Sequence, residues 1–182
     1  MSIIIAYRKG DRFYLGADTR SSAGSTISTA VAPFDQKIHA FENGLLVGLT
    51  GSARLAKKIL VQEELFKLPP EGLTAEDIAT RLAPKLCELY TKEDDSCGMI
   101  LARKDRCILI RDNLDILEIS DFAAIGCGKY YAFPYLYRAA PDCDANALLL
   151  EAMRCAAKYD SSVGAPFVLV NTKDLQFCFR EE

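Results

Sequence analysis

Apolar and polar residues follow one another along the first fifty residues in the pattern of two β-hairpins. Ile3 to Ala6 form a continuous apolar run, which is typical of a strand covered on both faces. The charged turn RKGD separates this run from the apolar segment RFYLGAD, so we predict the first hairpin there. We predict the second over KIHAFENGLLVGLTG, because Asn-Gly between apolar runs is the strongest short-range hairpin signal. Residues 21–32 are small and polar and predict a loop leading into an extended segment.

After Ser52 the apolar residues recur at helical spacing. The segment SARLAKKILVQEELFKL, residues 52–68, predicts a helix with Ser52 as its N-cap and a Pro-Pro pair at its end. Residues 74–90 begin with the capping pattern TAED and predict a second helix, which Pro84 should bend. Two more helices are predicted later in the chain, after the glycine turn of FAAIGCGKYYAFPYLYRAA and over DANALLLEAMRCAAKYD.

The remaining apolar segments predict strands and settle the expected fold class. CGMILARK, RCILIR and LDILEIS follow the second helix, and PFVLVNT and LQFCFRE close the chain. The order is therefore strands, two helices, strands, two helices, strands, which indicates a layered α+β fold. Two sheets packed face to face, with a pair of helices outside each, would bury all these apolar runs. We predict a four-layer αββα sandwich that forms a single domain over residues 1–182.

Composition and charge exclude several classes of function. The net charge is −3 and no Lys/Arg-rich run is present, so we expect no nucleic-acid partner. No apolar run approaches the roughly 20 residues that a membrane span requires, and the start lacks the shape of a signal peptide. The seven cysteines form no CxxC pair, which favours free thiols in a reducing cytoplasm over a metal site.

Two common catalytic arrangements are poorly supported by the sequence. GLTGSARLAKK has the glycines of a phosphate-binding loop but lacks its Gly-Lys-Ser/Thr ending. His39 is the only histidine and no nucleophile elbow is present, so a Ser-His-Asp triad is not indicated. We interpret His39 as a structural or surface residue. One histidine without a CxxC pair is also too few ligands for zinc catalysis.

An N-terminal nucleophile needs no histidine. Once Met1 is removed, Ser2 would carry its own general base, because an α-amine has a pKa of about 7.7 to 8.0 and lies close to its own hydroxyl. A terminal strand built into the core would hold such a group in place. A nearby lysine would lower the pKa of the amine, and a carboxylate would keep that lysine charged. Lys37 and Asp18 are the candidates for this pair.

The order and content of these segments resemble the β-type subunits of the proteasome and their bacterial relatives, which are N-terminal nucleophile hydrolases. IIIAYRKGDRFYLGADTRSSAG is similar to the family's first hairpin with its Gly-x-Asp-x-Arg ending, and Ser2 falls where the family keeps its catalytic threonine. QKIHAF resembles the strand with the catalytic lysine. GLLVGLTGSARLAKKIL resembles the segment whose glycine amide forms the oxyanion hole. AAIGCGKYYAFPYL and KYDSSVGAPFVLV resemble the turns before the third helix and after the fourth.

This resemblance implies peptide hydrolysis through an acyl-enzyme. Ser2 would attack the scissile carbonyl, Lys37 would lower the pKa values of its amine and hydroxyl, and Asp18 would hold Lys37 charged. The Gly51 amide would stabilise the oxyanion. The other implied site residues are Asp160 in the catalytic group, Arg20 in support, Ser21 and Ser22 pairing with an extended peptide, and Leu49 and Ala53 lining the pocket for the residue before the cut.

Three departures from the family pattern keep a second interpretation open. The nucleophile is serine rather than threonine, Cys127 stands where a supporting hydroxyl is usual, and Val163 stands where a second supporting serine is expected. The last two favour a catalytically inactive ring subunit that acts in assembly or binding. The presence of Asp18, Lys37, Gly51 and Asp160 favours the enzyme.

The resemblance also implies partners. We expect self-association into one or two stacked rings, with unfolded peptides as substrates and an ATPase unfoldase as a candidate partner. No cofactor or metal is implied. Leu65 and Phe66, in the first helix pair, are expected to be exposed and to form a contact surface in the ring.

Overall fold

The computed structural model describes residues 2–23, 26–69, 73–90 and 96–181. Met1, whose removal the sequence predicts, lies outside the described residues. The strands are β1 (Ile4–Lys9), β2 (Arg12–Asp18), β3 (Arg20–Ala23), β4 (Thr26–Thr29), β5 (Ile38–Ala40), β6 (Leu46–Gly51), β7 (Cys97–Arg103), β8 (Arg106–Ile110), β9 (Ile116–Glu118), β10 (Phe122–Ile125), β11 (Phe167–Asn171) and β12 (Cys178–Arg180). The α-helices are α1 (Ala53–Leu60), α2 (Ala75–Asp77), α3 (Ala83–Leu89), α4 (Lys129–Tyr137) and α5 (Ala145–Tyr159).

Two antiparallel five-stranded sheets form the centre of the fold. The first has the strand order β10-β1-β2-β11-β12 and the second the order β5-β6-β7-β8-β9. Both predicted hairpins are present, with Ile4 opposite Ala17 in the first and Ile38 opposite Gly48 in the second. The first hairpin therefore occupies the middle of its sheet, with β10 on one side and β11 on the other.

The residues from Ile3 to Ala6, at the start of β1, alternate between two cores and show how the layers stack. Ile4 and Ala6 lie in the apolar core between the two sheets, whereas Ile3 and Ile5 pack against α4 and α5. A third core lies between the second sheet and the helices from α1 to α3. The residues from Ile3 to Ala6 are all fully buried, as a strand covered on both faces requires. The predicted four-layer αββα sandwich is confirmed.

The predicted loop over residues 21–32 is in part a third hairpin. β3 and β4 pair antiparallel, with Ser21 opposite Ser28, and form a separate two-stranded sheet. Thr26, Ile27 and Thr29 are β-branched, which favours extended backbone even where the side chains are exposed. The extended segment predicted at the end of this loop is therefore present as β4.

The first helix is shorter than predicted. α1 begins after the predicted N-cap Ser52, whose hydroxyl accepts a hydrogen bond from the Leu55 amide at 3.3 Å, but it ends at Leu60. A 3₁₀ turn follows over Glu63–Phe66. This change of direction turns Phe66 into the core against the Phe41 ring, with 4.6 Å between the ring centroids. Leu65 is 5% exposed and Phe66 1%, so the predicted contact surface at these two residues is wrong.

The second predicted helix consists of α2, a π-helical turn over Ile78–Leu82, and α3. The predicted capping is present, because the Thr74 hydroxyl accepts from the Asp77 amide at 3.1 Å. Pro84 lies in the first turn of α3. A proline ring clashes with the carbonyl four residues earlier in a regular α-helix, and the wider π turn relieves this conflict. Within the described residues, no helix is long and apolar enough to span a membrane.

Candidate active site

Ser2 is held in a fixed place at the start of β1. Only 5% of its surface is exposed. Its carbonyl oxygen accepts a hydrogen bond from the Gly128 amide at 3.2 Å and a weaker one from the Cys127 thiol at 3.5 Å. A Cβ atom on Gly126 would lie 2.1 Å from the same oxygen, so only glycine allows this turn to approach Ser2. The turn between β10 and α4 thus fixes the first described residue of the chain.

Asp18, at the end of β2, joins three parts of the chain. One carboxylate oxygen accepts from the Ile3 amide at 2.9 Å and from the Lys37 ammonium at 2.6 Å. The other accepts from the Gly164 amide at 3.3 Å. Lys37 also donates to the Arg20 carbonyl at 2.6 Å. The predicted pair of Asp18 and Lys37 is therefore formed, and it lies next to Ile3, the residue that follows Ser2.

Burial dominates the electrostatics of this pair. The Asp18 side chain is fully buried and that of Lys37 is 10% exposed. Burial lowers the pKa of Lys37, and the neighbouring Asp18 carboxylate partly restores it. Burial likewise raises the pKa of Asp18, against the opposing effects of Lys37 and of the Ile3 and Gly164 amides. Each group thus depends on the other to stay charged.

Gly51 lies at the turn from β6 into α1 with a φ of +109°, a conformation that favours glycine. A Cβ atom here would lie 2.2 Å from the Ser96 carbonyl oxygen, which accepts a hydrogen bond from the Ser52 amide at 3.0 Å. A side chain at residue 51 is therefore excluded by both backbone conformation and space. The same turn faces Ser2, since both residues line two cavities.

The two cavities meet at Ser2, Thr50 and Gly51 and otherwise have different linings. The smaller encloses about 160 Å³ and is lined by Lys37 and by three of the residues predicted to bind substrate, which are Ser21, Leu49 and Ala53. Ser22 lies in β3, but its side chain is outside the described part of the chain. The larger encloses about 960 Å³ and includes Cys127. A nucleophile at Ser2 would therefore have room on both sides.

Comparison with solved structures identifies the fold. BPH of Thiobacillus denitrificans, a bacterial proteasome-like protein, superposes with a TM-score of 0.77 at 27% identity, covering 96% of this chain and 99% of that one. Anbu from Yersinia bercovieri gives 0.79 at 21% identity, covering 99% and 87%. HslV from Trypanosoma brucei gives 0.69 at 21% identity, covering 93% and 98%. Scans against protein-family models and against curated proteins find no match.

The chain has the fold of proteasome-type subunits. The resemblance seen in the sequence is confirmed, as is the N-terminal nucleophile hydrolase architecture. Arg20 lines the smaller cavity and also contacts the turn after α5. Its guanidinium donates to the Ser161 carbonyl at 2.7 Å. A Cβ atom on Gly164 would lie only 2.6 Å from the Arg20 Nε, so glycine allows the close contact. Arg20 therefore holds the turn after α5, whose Gly164 amide reaches Asp18.

Sequence reasoning missed Ser162. Val163 does pack into the core and has no hydroxyl, but the preceding residue supplies one. The Ser162 hydroxyl donates to Asp160 at 2.5 Å and lies 2.9 Å from the Cys127 thiol, and Ser162 is only 4% exposed. The available signal was the Asp-Ser-Ser order, since Asp side chains often accept the amide two residues on. That bond is present here, at 2.9 Å.

Asp160, Ser162 and Cys127 thus form a polar group beside Ser2, with Cys127 bonded to the Ser2 carbonyl. Burial alone would raise the pKa of Asp160, but hydrogen bonds from Ser162 and Cys127 outweigh it and lower that pKa. Asp160 therefore remains ionised to lower pH than an isolated aspartate. It gives the group around Ser2 a second carboxylate, linked to the Ser2 carbonyl through Ser162 and Cys127.

We expect the Asp160 contribution to stability to be lost in acid. A carboxyl with a lowered folded pKa stabilises the fold above its unfolded pKa, and this stabilisation is lost as the pH falls through the folded value. Ser162→Ala removes a hydrogen bond that lowers the pKa, so its acid-unfolding midpoint should move to higher pH. Circular dichroism across an acid titration measures this shift. Ser161→Ala, at an exposed neighbouring residue, is the control, and equal midpoints in the two variants would contradict the expectation.

Proposed function

We propose that this chain is a subunit of a self-compartmentalising endopeptidase that cleaves peptide bonds through Ser2 after removal of Met1. The observation that carries the proposal is the buried Lys37–Asp18 pair, in which Asp18 accepts from the Ile3 amide and Lys37 lines the same cavity as Ser2 and Gly51. Burying such a pair has a desolvation cost that often exceeds its attraction. A catalytic charge beside the nucleophile gives a reason to keep it.

In the proposed reaction the Ser2 hydroxyl attacks the scissile carbonyl and its proton passes to the Ser2 α-amine. The Gly51 amide donates to the oxyanion, a contribution of about 3 to 4 kcal/mol in enzymes from which such donors have been removed. The carbon–nitrogen bond then breaks, and the leaving amine takes the proton from the α-ammonium. Water hydrolyses the resulting ester with the same amine as base, which releases the second product and restores Ser2.

The charge of Lys37 has a direct electrostatic role in this scheme. A positive charge near the α-amine and hydroxyl favours their deprotonated forms, which are the base and the nucleophile. Asp18 keeps Lys37 charged against its burial and fixes its position. Asp160 and Ser162 hold Cys127 beside the Ser2 carbonyl. The site can therefore supply nucleophile, base, cation and oxyanion donor.

The comparison with BPH supports the same reaction class. That protein, 27% identical to this chain, has been seen in complex with epoxomicin. A peptide epoxyketone of this kind reacts with a hydroxyl and a free α-amine on the same residue, and Ser2 would present both. The smaller cavity, with Leu49 and Ala53, favours an apolar residue before the cut.

The alternative function is a catalytically inactive ring subunit that acts in assembly or binding. Cys127 favours it, because a thiol is a weaker hydrogen-bond donor to the Ser2 carbonyl than a hydroxyl would be. The buried Ser162 hydroxyl weakens this alternative, since it restores a strong donor to the group around Asp160.

We propose self-association in either case. The proteasome-like neighbours include HslV and an Anbu complex from Pseudomonas aeruginosa whose assembly is helical. On this chain the outer helices carry exposed tyrosines, with Tyr137 82% and Tyr159 62% exposed, and such aromatic residues are frequent at protein interfaces. We propose one or two stacked rings in the cytoplasm, with an ATPase unfoldase as a candidate partner.

A peptide epoxyketone tests the proposed function directly. Tag-free protein, with a Ser2 terminus confirmed by intact mass, should form one adduct per subunit, and peptide mapping should place it on Ser2. Ser2→Ala, which keeps the α-amine and removes the hydroxyl, should form none. If the wild-type protein has a free Ser2 terminus and still forms no adduct with a range of peptide sequences, the inactive ring subunit is the correct interpretation.

A further inference from the structure

The larger cavity beside Ser2 has no role in the reaction scheme above. It reaches from Ser2 and Gly51 to Arg111, between β8 and β9, and to Lys129, the first residue of α4. At about 960 Å³ it is the size of a ligand site rather than a packing defect. Its lining shares Ser2, Thr50 and Gly51 with the smaller cavity, so the two are open to the same nucleophile.

A peptide undergoing cleavage occupies space on both sides of the nucleophile. The residue before the cut forms the ester with Ser2 and, with Leu49 and Ala53 around it, fits the smaller cavity. The part of the peptide that leaves must then extend away from that cavity. The larger cavity also borders Ser2 and Gly51 and is lined by other elements, and here it is called the leaving-side cavity.

The charges and rings of the leaving-side cavity indicate what it would bind. Two cations, Arg111 and Lys129, line it together with one acid, Asp112. The Arg111 guanidinium bonds through one nitrogen to Asp115 at 3.1 Å, in a pair whose side chains are about half exposed. Such an exposed pair is weak, and a guanidinium has five N–H donors, so a second carboxylate can be bound. Among the side chains that line the cavity, two cations against one acid leave a net charge of +1, which favours an anion.

Lys129 is positioned by an aromatic ring. Its ammonium lies 5.2 Å from the centroid of the Tyr130 ring, an arrangement that holds the cation by its attraction to the ring face. Phe133, one turn further along α4, and Leu109 add apolar surface to the same lining. The lining therefore offers apolar contact together with two cations.

We propose that the leaving-side cavity is a specificity subsite that selects peptides carrying a carboxylate on the leaving side of the cut, bound by Arg111 and Lys129. The inference rests on the proposed peptidase function and adds a substrate class to it. A Glu or Asp side chain and the C-terminal carboxylate of a short peptide share this chemistry.

Internally quenched peptides test the subsite. The series keeps the residues before the cut constant and places Glu, Gln or Lys second after it, each peptide with an acid or an amide C-terminus. We expect kcat/KM to be about tenfold higher for Glu than for Lys, the scale of one charge-assisted hydrogen bond. If the C-terminus supplies the carboxylate, the acid form should instead exceed the amide form irrespective of the second residue.

Variants assign the preference to its residues. Arg111→Gln together with Lys129→Gln should reduce the ratio of kcat/KM for the Glu peptide to that for the Lys peptide to about one. Lys158→Gln is the matched control, because Lys158 lies 5.7 Å from the Tyr159 ring in the same kind of contact but does not line the cavity. Cleavage without any carboxylate preference, or a preference that survives the double variant, would overturn the inference.

A binding measurement separates this inference from the proposed function. Fluorescein-labelled acid and amide forms of the leaving-side peptide are titrated against Ser2→Ala protein and followed by anisotropy. Tighter binding of the carboxylate form, lost in the Arg111→Gln/Lys129→Gln background, would support the subsite even if no peptide were cleaved and the peptidase proposal failed. Equal binding of both forms would overturn the subsite, whatever the epoxyketone result.

Discussion

Lys37→Met should abolish most peptide cleavage and also destabilise the fold. Methionine keeps the length and most of the volume of the lysine side chain but removes its charge. Losing a pre-organised charge beside the nucleophile should lower kcat/KM, and the rate of epoxyketone labelling, by about 10²- to 10³-fold. Because the Asp18 side chain is fully buried, leaving it without Lys37 should lower the free energy of unfolding by about 3 to 5 kcal/mol.

A double variant separates these two effects. Asp18→Asn with Lys37→Met replaces the buried ion pair by two neutral groups, and the asparagine oxygen can still accept from the Ile3 amide. We expect chemical denaturation to show most of the lost stability restored while labelling stays slow. If Lys37→Met protein labels at the wild-type rate, Lys37 has no catalytic role and the inactive ring subunit is favoured. If the double variant regains activity, Lys37 acts only through folding.

The sequence was most informative where one strong local pattern fixed a position. The apolar run before the first turn and the Asn-Gly turn placed both hairpins, and with them Asp18 at the end of β2 and Lys37 just before β5. Those two residues are nineteen apart in the chain, and the register of two hairpins brings them to 2.6 Å. The four-layer fold followed from the order of the elements, because each sheet face needed cover.

The predictions that failed concern residues whose positions depend on tertiary contacts. Leu65 and Phe66 continue the helical period of the first helix, but the chain leaves the helix at Leu60 to bury them against Phe41 and its neighbours. The role of the Ser162 hydroxyl was not predicted, because the family pattern places the supporting serine at residue 163, one residue later in the chain. The turn after α5 allows a serine at residue 162 to take this place, because Asp160 accepts hydrogen bonds from both the amide and the hydroxyl of Ser162.

Gly126 helps to hold Ser2 in place. The Gly-Cys-Gly sequence of the turn does not by itself reveal this role. The φ of Gly126, +89°, allows the turn to pass within contact distance of the Ser2 carbonyl, and the adjoining Gly128 amide bonds to that same oxygen. The start of the chain is therefore positioned from the carbonyl side by the turn before α4, and from the Ile3 amide by Asp18. Both attachments set where the Ser2 hydroxyl lies relative to Gly51.

Gly126→Ala should therefore both slow the reaction at Ser2 and destabilise the protein. The new Cβ would lie 2.1 Å from the Ser2 carbonyl oxygen, so Ser2 or the turn must move by roughly 1 Å, a displacement that can cost about 10²-fold in rate. We expect epoxyketone labelling to slow by that factor, and the free energy of unfolding to fall by about 1 to 3 kcal/mol from overpacking together with about 1 to 2 kcal/mol from the positive φ.

Gly10→Ala is the matched control for this prediction. Gly10 also has a positive φ, +63°, but a Cβ atom there would meet nothing within 4 Å. It should show the cost of the backbone conformation alone, as measured by chemical denaturation, and label at the wild-type rate. The difference between the two variants isolates the contact with Ser2. If Gly126→Ala labels as fast as Gly10→Ala, the turn before α4 does not position the nucleophile, and Asp18 alone holds the start of the chain in place.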